Sequence, residues 1–168
     1  GYSISQKQRA EEDGYDRVAI GTAIAENFLY QVLDVGTFHG DPHQGNIMLS
    51  GGVPCWIDFG MIGHVSQSSI SCMQDAIFAL IQKDVEGLTN AALSMGISKG
   101  KVNKAKLMDD VSELIDQYTT SKSLTDLDLG GLMGDLTDLM NRHQLSVPGE
   151  YTMLIRALVT IEGVLEEF

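Results

Sequence analysis

Apolar positions recur at helical spacing along most of this chain, and the pattern lapses in one well-defined stretch. Over residues 15–35, Val18, Ala19, Ile24, Phe28, Val32 and Leu33 fit one helical face, and Gly36 stands where a helix stop belongs. The following segment, TFHGDPHQGN, has no period and carries Gly, Pro and Asn, which predicts a loop. Two short apolar runs come next, Ile47 to Leu49 and Val53 to Ile57, split by Ser50-Gly51-Gly52, and they predict a small β-hairpin. Beyond it the period is helical again. Ser66 can cap a helix that turns Ile70, Met73, Ile77 and Leu80 inward, and Asp84 can cap another that ends near Gly96. Leu107, Val111, Leu114 and Tyr118 mark a third stripe, and Leu132, Leu136 and Leu139 a weaker fourth. Pro148, a good first-turn residue, opens a last helix with Leu154, Leu158, Ile161 and Leu165. Residues 1–14 are polar and are expected to form a linker or a frayed end. The expected fold is therefore mainly α: one helical lobe, residues 15–168, with a single small hairpin inserted after the first long helix.

Composition narrows the class. At 168 residues and 43% hydrophobic, the chain can bury a real core. No run of about 18 apolar residues exists to span a bilayer, and no secretory leader opens the chain. A start at Gly1 without methionine and a stop at Phe168, just after a strongly periodic helix, suggest a piece of a longer polypeptide. The formal charge of −12 is the opposite of what phosphate-backbone binding needs, so nucleic acid is excluded as a partner, and anionic membrane surfaces are disfavoured. An acidic protein still binds a phosphorylated ligand when a divalent cation bridges the two. Cys55 and Cys72 form neither a CxxC pair nor a zinc pattern, which fits a reduced, cytosol-like compartment.

The candidate chemistry gathers at the hairpin. His39, Asp41 and Asn46 precede it, and Asp58-Phe59-Gly60 follows it. A hairpin brings its ends together, so Asn46 and Asp58 are expected as neighbours. Their carboxylate and amide oxygens suit Mg²⁺, which takes few protein ligands plus phosphate oxygens and water. Asp41 would project toward the same space, where it could accept a proton from an attacking hydroxyl or orient it. The order and spacing match the kinase pattern H-x-D-x-x-x-x-N followed by D-F-G. A polar hairpin with structural Asp and Asn in its turns is the bland alternative.

The run FHGDPHQGNIML…GVPCWIDFGMIGHVS resembles the UbiB/ADCK family of atypical kinases, and so does the late helix VPGEYTMLIRALVTIEGVLEEF. The resemblance extends from the helix before His39 almost to the C-terminus. It implies the C-terminal lobe of a protein-kinase-like fold, with ATP and Mg²⁺ as cofactors and a role in ubiquinone or other prenyl-lipid pathways. It implies Asp41 as the catalytic-loop carboxylate, Asn46 and Asp58 as metal ligands, and His39 and Gly60 as bracing residues. A lipid or isoprenoid substrate and a peripheral membrane location for the cytoplasmic full-length protein follow from the same resemblance.

The chain departs from the kinase pattern in several ways. No nucleotide-gripping loop or lysine–glutamate pair precedes the first helix, so the N-terminal kinase lobe is expected elsewhere in the parent chain and this segment alone is expected to be inactive. His43 occupies a position where many Ser/Thr kinases carry a phosphate-neutralising lysine; it could hydrogen-bond phosphate or merely pack the loop. Gln44 stands in place of the family's proline. Few residues separate Asp58 from Ser66, too few for a peptide-docking segment, so ATP hydrolysis or small-molecule or lipid phosphorylation is favoured over protein phosphorylation.

Other features weigh less. Asp126, Asp128 and Gly131 hint at a calcium loop, but Gly130 and Thr137 stand at its fifth and twelfth positions, and the reading is rejected. The methionines suit core gaps, Met61 and Ile62 could line an apolar surface near the site, and Arg156 is expected in an ion pair. Three other functions stay open. A phosphotransferase resembling aminoglycoside or choline kinases fits Gly40 slightly better than the alanine usual in UbiB/ADCK proteins. A non-catalytic, pseudokinase-like binding module is the second. A metal hydrolase using His39, Asp41 and His43 is the third.

Overall fold

In the computed structural model, which describes residues 1–120 and 129–168, order begins where the sequence suggested fraying. Strand β1 (Tyr2–Ser3) and helix α1 (Lys7–Glu12) occupy the first fourteen residues. Two apolar positions in this polar segment explain the difference, since Ile4 and Ala10 are both buried. Asp16 caps α2 (Arg17–Tyr30) by accepting the Val18 N–H. The buried row of α2 is Ile20, Ile24 and Phe28, continued by Val32. Val18 is 68% exposed and Leu33 is 40% exposed, contrary to the face expected from the sequence. At about 100° per residue, Val18 lies about 240° from Ile24, well off the i+4 row that reaches the core.

The helix widens into a π turn (Gln31–Val35), closed by the Gly36 N–H on the Gln31 carbonyl, with Gly36 left-handed at φ 70°. The segment expected to be all loop then starts as a strand, β2 (Thr37–His39), and later forms a 3₁₀ turn (Gln44–Asn46). The hairpin follows as β3 (Ile47–Ser50) and β4 (Val53–Trp56), joined through Gly51 and Gly52, both at positive φ as a type I′ turn requires. β1 adds to the outer edge of β3, with Tyr2 opposite Leu49. β5 (Ile62–His64) returns to pair antiparallel with β2, Phe38 facing Gly63. Neither β1 nor the β2–β5 pair has a local sequence signature, because each partner lies far along the chain.

Ser66 and Asp84 cap α3 (Gln67–Ile81) and α4 (Val85–Met95) through the N–H groups of Ser69 and Gly87, as the pattern predicts. β6 (Ile97–Ser98), α5 (Lys104–Thr120), α6 (Leu129–Arg142), β7 (Leu145–Ser146) and α7 (Gly149–Leu165) complete the chain, with β6 and β7 paired antiparallel. Leu107 and Val111 are fully buried on α5, and Leu132, Leu136 and Leu139 are buried on α6. Ile77 stays 40% exposed despite its place on the predicted stripe of α3. Arg156 is exposed, and no ion pair involving it is found among the described residues. The calcium-loop positions Asp126 and Asp128 lie outside the described residues.

The architecture is the mainly helical one expected, with small sheets. It resolves into two compact units, residues 1–65 with 156–168, and residues 66–155. Among the described residues, no helix is long and apolar enough to cross a membrane.

Candidate functional site

The polar residues singled out in the sequence all lie in the first unit, on two short loops. The first loop leaves β2 at His39 and enters β3 after Asn46; the second leaves β4 after Trp56 and enters β5 at Ile62. Two pairings hold them together. The Ile57 N–H donates to the Asn46 carbonyl at 2.9 Å, extending the hairpin, and the Gly40 N–H donates to the Met61 carbonyl at 2.9 Å, extending the β2–β5 pair.

His39 braces both loops at once. It is 2% exposed, its Nε2 lies 2.9 Å from the Ile57 carbonyl, and its Nδ1 lies 3.2 Å from the Asp41 N–H. A carbonyl only accepts and an amide N–H only donates, so the ring proton sits on Nε2. Trp56 and Phe59 flank the imidazole with ring centroids 5.5 and 5.6 Å away. With both nitrogens engaged and the ring buried, His39 has no lone pair for a metal, which removes the hydrolase arrangement of His39, Asp41 and His43.

Asp41 projects from this braced backbone with its side chain half exposed. Its carbonyl accepts the Asn46 Nδ2 at 3.0 Å and the His43 N–H at 2.9 Å. The His43 ring caps the 3₁₀ turn, Nδ1 accepting the Gly45 N–H at 3.0 Å. That leaves the ring proton of a neutral His43 on Nε2, which lies 3.6 Å from Asp41 Oδ2. His43 thus packs the loop through Nδ1 and turns Nε2 toward the Asp41 carboxylate.

Asn46 is buried, and its Nδ2 is committed to Asp41. Among the described residues no hydrogen bond reaches its Oδ1, the hard oxygen a cation would use. Asp58 follows the Asn46 partner Ile57 and is exposed, held at φ 57° with its Oδ1 accepting the Gly60 N–H at 3.3 Å. A left-handed aspartate is an uncommon and mildly strained choice, of the kind that collects at functional positions. Among the described residues no group of three or more His, Cys, Asp or Glu could hold a metal. One exposed carboxylate and one amide oxygen of a buried side chain make the sparse hard-donor set that would suit Mg²⁺ shared with phosphate and water. Ile57, Phe59, Met61 and Ile62 leave apolar surface exposed along the second loop.

Two glycines have packing reasons. A Cβ on Gly63 would lie 2.2 Å from Phe38 Cζ, and one on Gly40 would lie 2.8 Å from Met61 Cγ and 3.1 Å from the Met61 carbonyl oxygen. Gly40 thus follows from the close approach of Met61 in this chain.

Sequence reasoning missed three polar side chains behind the first loop. Gln31 Oε1 accepts the His39 main-chain N–H at 2.9 Å, Gln31 Nε2 donates to Asn27 Oδ1 at 2.9 Å, and Trp56 Nε1 donates to the same oxygen at 2.6 Å. The only local signal was a polar Gln in the last turn before Gly36.

Comparison with known proteins places two family domains on the chain. The ABC1 atypical kinase-like domain matches residues 1–92, and the UbiB helical domain matches residues 101–168. Among curated relatives, the "Uncharacterized protein in hydrogenase 1 5′ region" of Clostridium pasteurianum is 32% identical over 98% of this chain and 31% of its own length. "Protein ACTIVITY OF BC1 COMPLEX KINASE 1, chloroplastic" of Arabidopsis thaliana is 27% identical over 98% of this chain and 24% of its own length. "Protein ACTIVITY OF BC1 COMPLEX KINASE 8, chloroplastic" of the same plant is 34% identical over 58% of this chain and 13% of its own length. The chain thus spans less than a third of the length of these relatives.

Proposed function

This chain belongs to the ABC1 atypical kinase-like family, and on that premise we propose that it carries the magnesium-holding half of an atypical kinase or ATPase acting on Mg-ATP. The observation that supports the reading most is the joining of the two loops by the Asn46–Ile57 main-chain bond, with Asn46 Oδ1 meeting no donor among the described residues and Asp58 next after Ile57 in the chain. Asn46 and Asp58 would hold Mg²⁺, which supplies charge neutralisation at the nucleotide phosphates. Asp41, fixed through its own N–H by His39, orients the acceptor hydroxyl or water and takes its proton. His43 would donate a hydrogen bond from Nε2 to a phosphate oxygen. The adenine cleft and the phosphate-binding lysine would come from the N-terminal kinase lobe of the parent chain, so the isolated segment would be inactive.

The wider reading is a cytoplasmic protein, peripheral to the membrane in its full-length form, acting on a lipid or isoprenoid in ubiquinone or other prenyl-lipid biosynthesis. The aminoglycoside- or choline-kinase-like alternative has less support, since Gly40, its one distinguishing residue, has a packing reason of its own.

The test is titration of Mg-ATP into the full-length protein with single substitutions. Asp58→Asn should abolish magnesium-dependent binding. Asp41→Asn should retain binding and lose turnover by roughly 10²–10⁴-fold, the usual range for a general base. Binding and turnover unchanged in Asp58→Asn would rule the assignment out.

A further inference from the structure

The main-chain N–H of His39 lies on the edge of β2 that β5 does not use. Gly40 donates to Met61, and alternate residues of an antiparallel ladder face the partner strand, so Phe38 and Gly40 look toward β5 and His39 looks away. Among the described residues this sheet has two strands, and on its open side the His39 N–H meets no strand carbonyl. Gln31 Oε1 takes that place at 2.9 Å. The main-chain carbonyl of Gln31 also accepts the Gly36 N–H that closes the π turn, so one residue ties the end of the helix to the strand that begins the loop. π turns inside helices occur frequently at functional sites.

The direction of the Gln31 amide is not free. An amide reversed end for end would present NH₂ to the His39 N–H, donor against donor. Asn27 Oδ1 prevents this by accepting from Gln31 Nε2, and it is held in turn by the Trp56 indole N–H. Trp56 ends β4 and stacks beside the His39 ring. The hydrogen-bonded chain therefore runs from β4 through α2 to His39, whose ring fixes both the Asp41 N–H and the Ile57 carbonyl.

We infer that Gln31 is a positioning residue for the site, with Asn27 setting the orientation of its amide; the inference rests on the Mg-ATP reading above. Gln31 reaches no reacting atom. It acts through His39, on the placement of the Asp41 and Asp58 loops.

The test is steady-state ATP turnover by the full-length protein, with thermal midpoints measured in parallel. Gln31→Leu should lower kcat about tenfold, the equivalent of one hydrogen bond, while KM for Mg-ATP moves by less than about threefold. Gln31→Glu keeps an acceptor for the His39 N–H but turns an oxygen toward Asn27 Oδ1, so it should recover part of the rate and stay faster than Gln31→Leu. Asn27→Asp keeps an oxygen for both Gln31 and Trp56 and should match the wild type. Asp58→Asn serves as the control for the underlying reading. If Asp58→Asn is inactive while Gln31→Leu turns over within about twofold of wild type, the positioning role is overturned and the Mg-ATP reading stands. Gln31→Glu no faster than Gln31→Leu, with Asn27→Leu as fast as Asn27→Asp, would also overturn it, because a generic packing role has no need of these oxygens. Full activity in Asp58→Asn removes both. Should Gln31→Leu fail to fold, Asn27→Leu against Asn27→Asp at the exposed neighbouring position carries the comparison: a slow Leu variant supports the inference, and equal rates overturn it.

Discussion

Phe38 and Gly63 face each other across β2 and β5, and the contact leaves no room for a side chain at position 63. A Cβ there would lie 2.2, 2.4 and 2.7 Å from Cζ, Cε2 and Cε1 of Phe38. Ordinary carbon contacts need about 3.5–4.0 Å, so the ring or the strand must move by more than about 1 Å. The ring has nowhere to go: Phe38 is 1% exposed and packs edge-on against Phe28, also 1% exposed, with centroids 6.2 Å apart. Gly63→Ala should therefore cost about 2–3 kcal/mol, the upper part of the overpacking range. Phe38→Leu alone removes the aromatic pair and some volume, for about 1–2 kcal/mol. It also removes each of the three atoms that clash. The double variant should then be about as stable as Phe38→Leu alone, with a coupling of about 2 kcal/mol in favour of the pair. Trp56, the only tryptophan of the chain, lies in the same unit 6.3 Å from the Phe28 ring, so its fluorescence during urea unfolding reports this region. Stability losses that add to within about 0.5 kcal/mol would show that the ring and the new methyl never meet, and the steric argument would fail.

Three further outcomes can be checked. Asp58→Gly relieves the left-handed backbone strain at φ 57° and should be as stable as wild type or more so, by up to about 1 kcal/mol, yet lose magnesium-dependent nucleotide binding; a clear destabilisation in urea would contradict the strain. His39→Leu strands the Asp41 N–H and the Ile57 carbonyl and should cost about 2–4 kcal/mol by the same fluorescence assay, a loss below about 1 kcal/mol showing that the imidazole braces neither loop. The Glu167 carboxyl is held below its ordinary value of 4.5, first by its hydrogen bond with Lys7. A depressed carboxylate contributes stability that is complete above its unfolded-state value and is lost as pH falls through the lowered folded one. Melting midpoints followed from about pH 7 to about pH 2 should accordingly fall less steeply in Glu167→Gln, and parallel curves would remove the effect.

What the sequence showed most plainly was what short-range chemistry decides. Ser66 and Asp84 cap their helices because each side chain reaches an N–H three residues on, and Gly51-Gly52 turns the hairpin because both residues accept positive φ. Pairings between distant segments left no such trace. β1 depends on β3, β2 on β5, and β6 on β7, so Thr37 to His39 looks like loop until Ile62 to His64 is beside it. The sequence places Val18, Ala19 and Leu33 on the inner face, but all three are exposed, because the outer side is apolar too, with Leu29 and Tyr30 also exposed.

The site shows the same division. The order H-x-D-x-x-x-x-N followed by D-F-G singles out His39, Asp41, Asn46 and Asp58 as candidates, and the structure brings their two loops side by side. Gln31 is not singled out, because glutamine is an ordinary helix former and its role depends on a strand that local pattern does not reveal. The second loop is held at one end by β4, through Ile57 on Asn46, and at the other by β5, through Met61 on Gly40. Both partners belong to the first loop. Each loop is thus clamped at its ends by the other, with His39 bonded to both. Gly63 keeps the second clamp closed by letting β5 lie against the Phe38 ring, so a glycine outside both loops helps to hold them side by side.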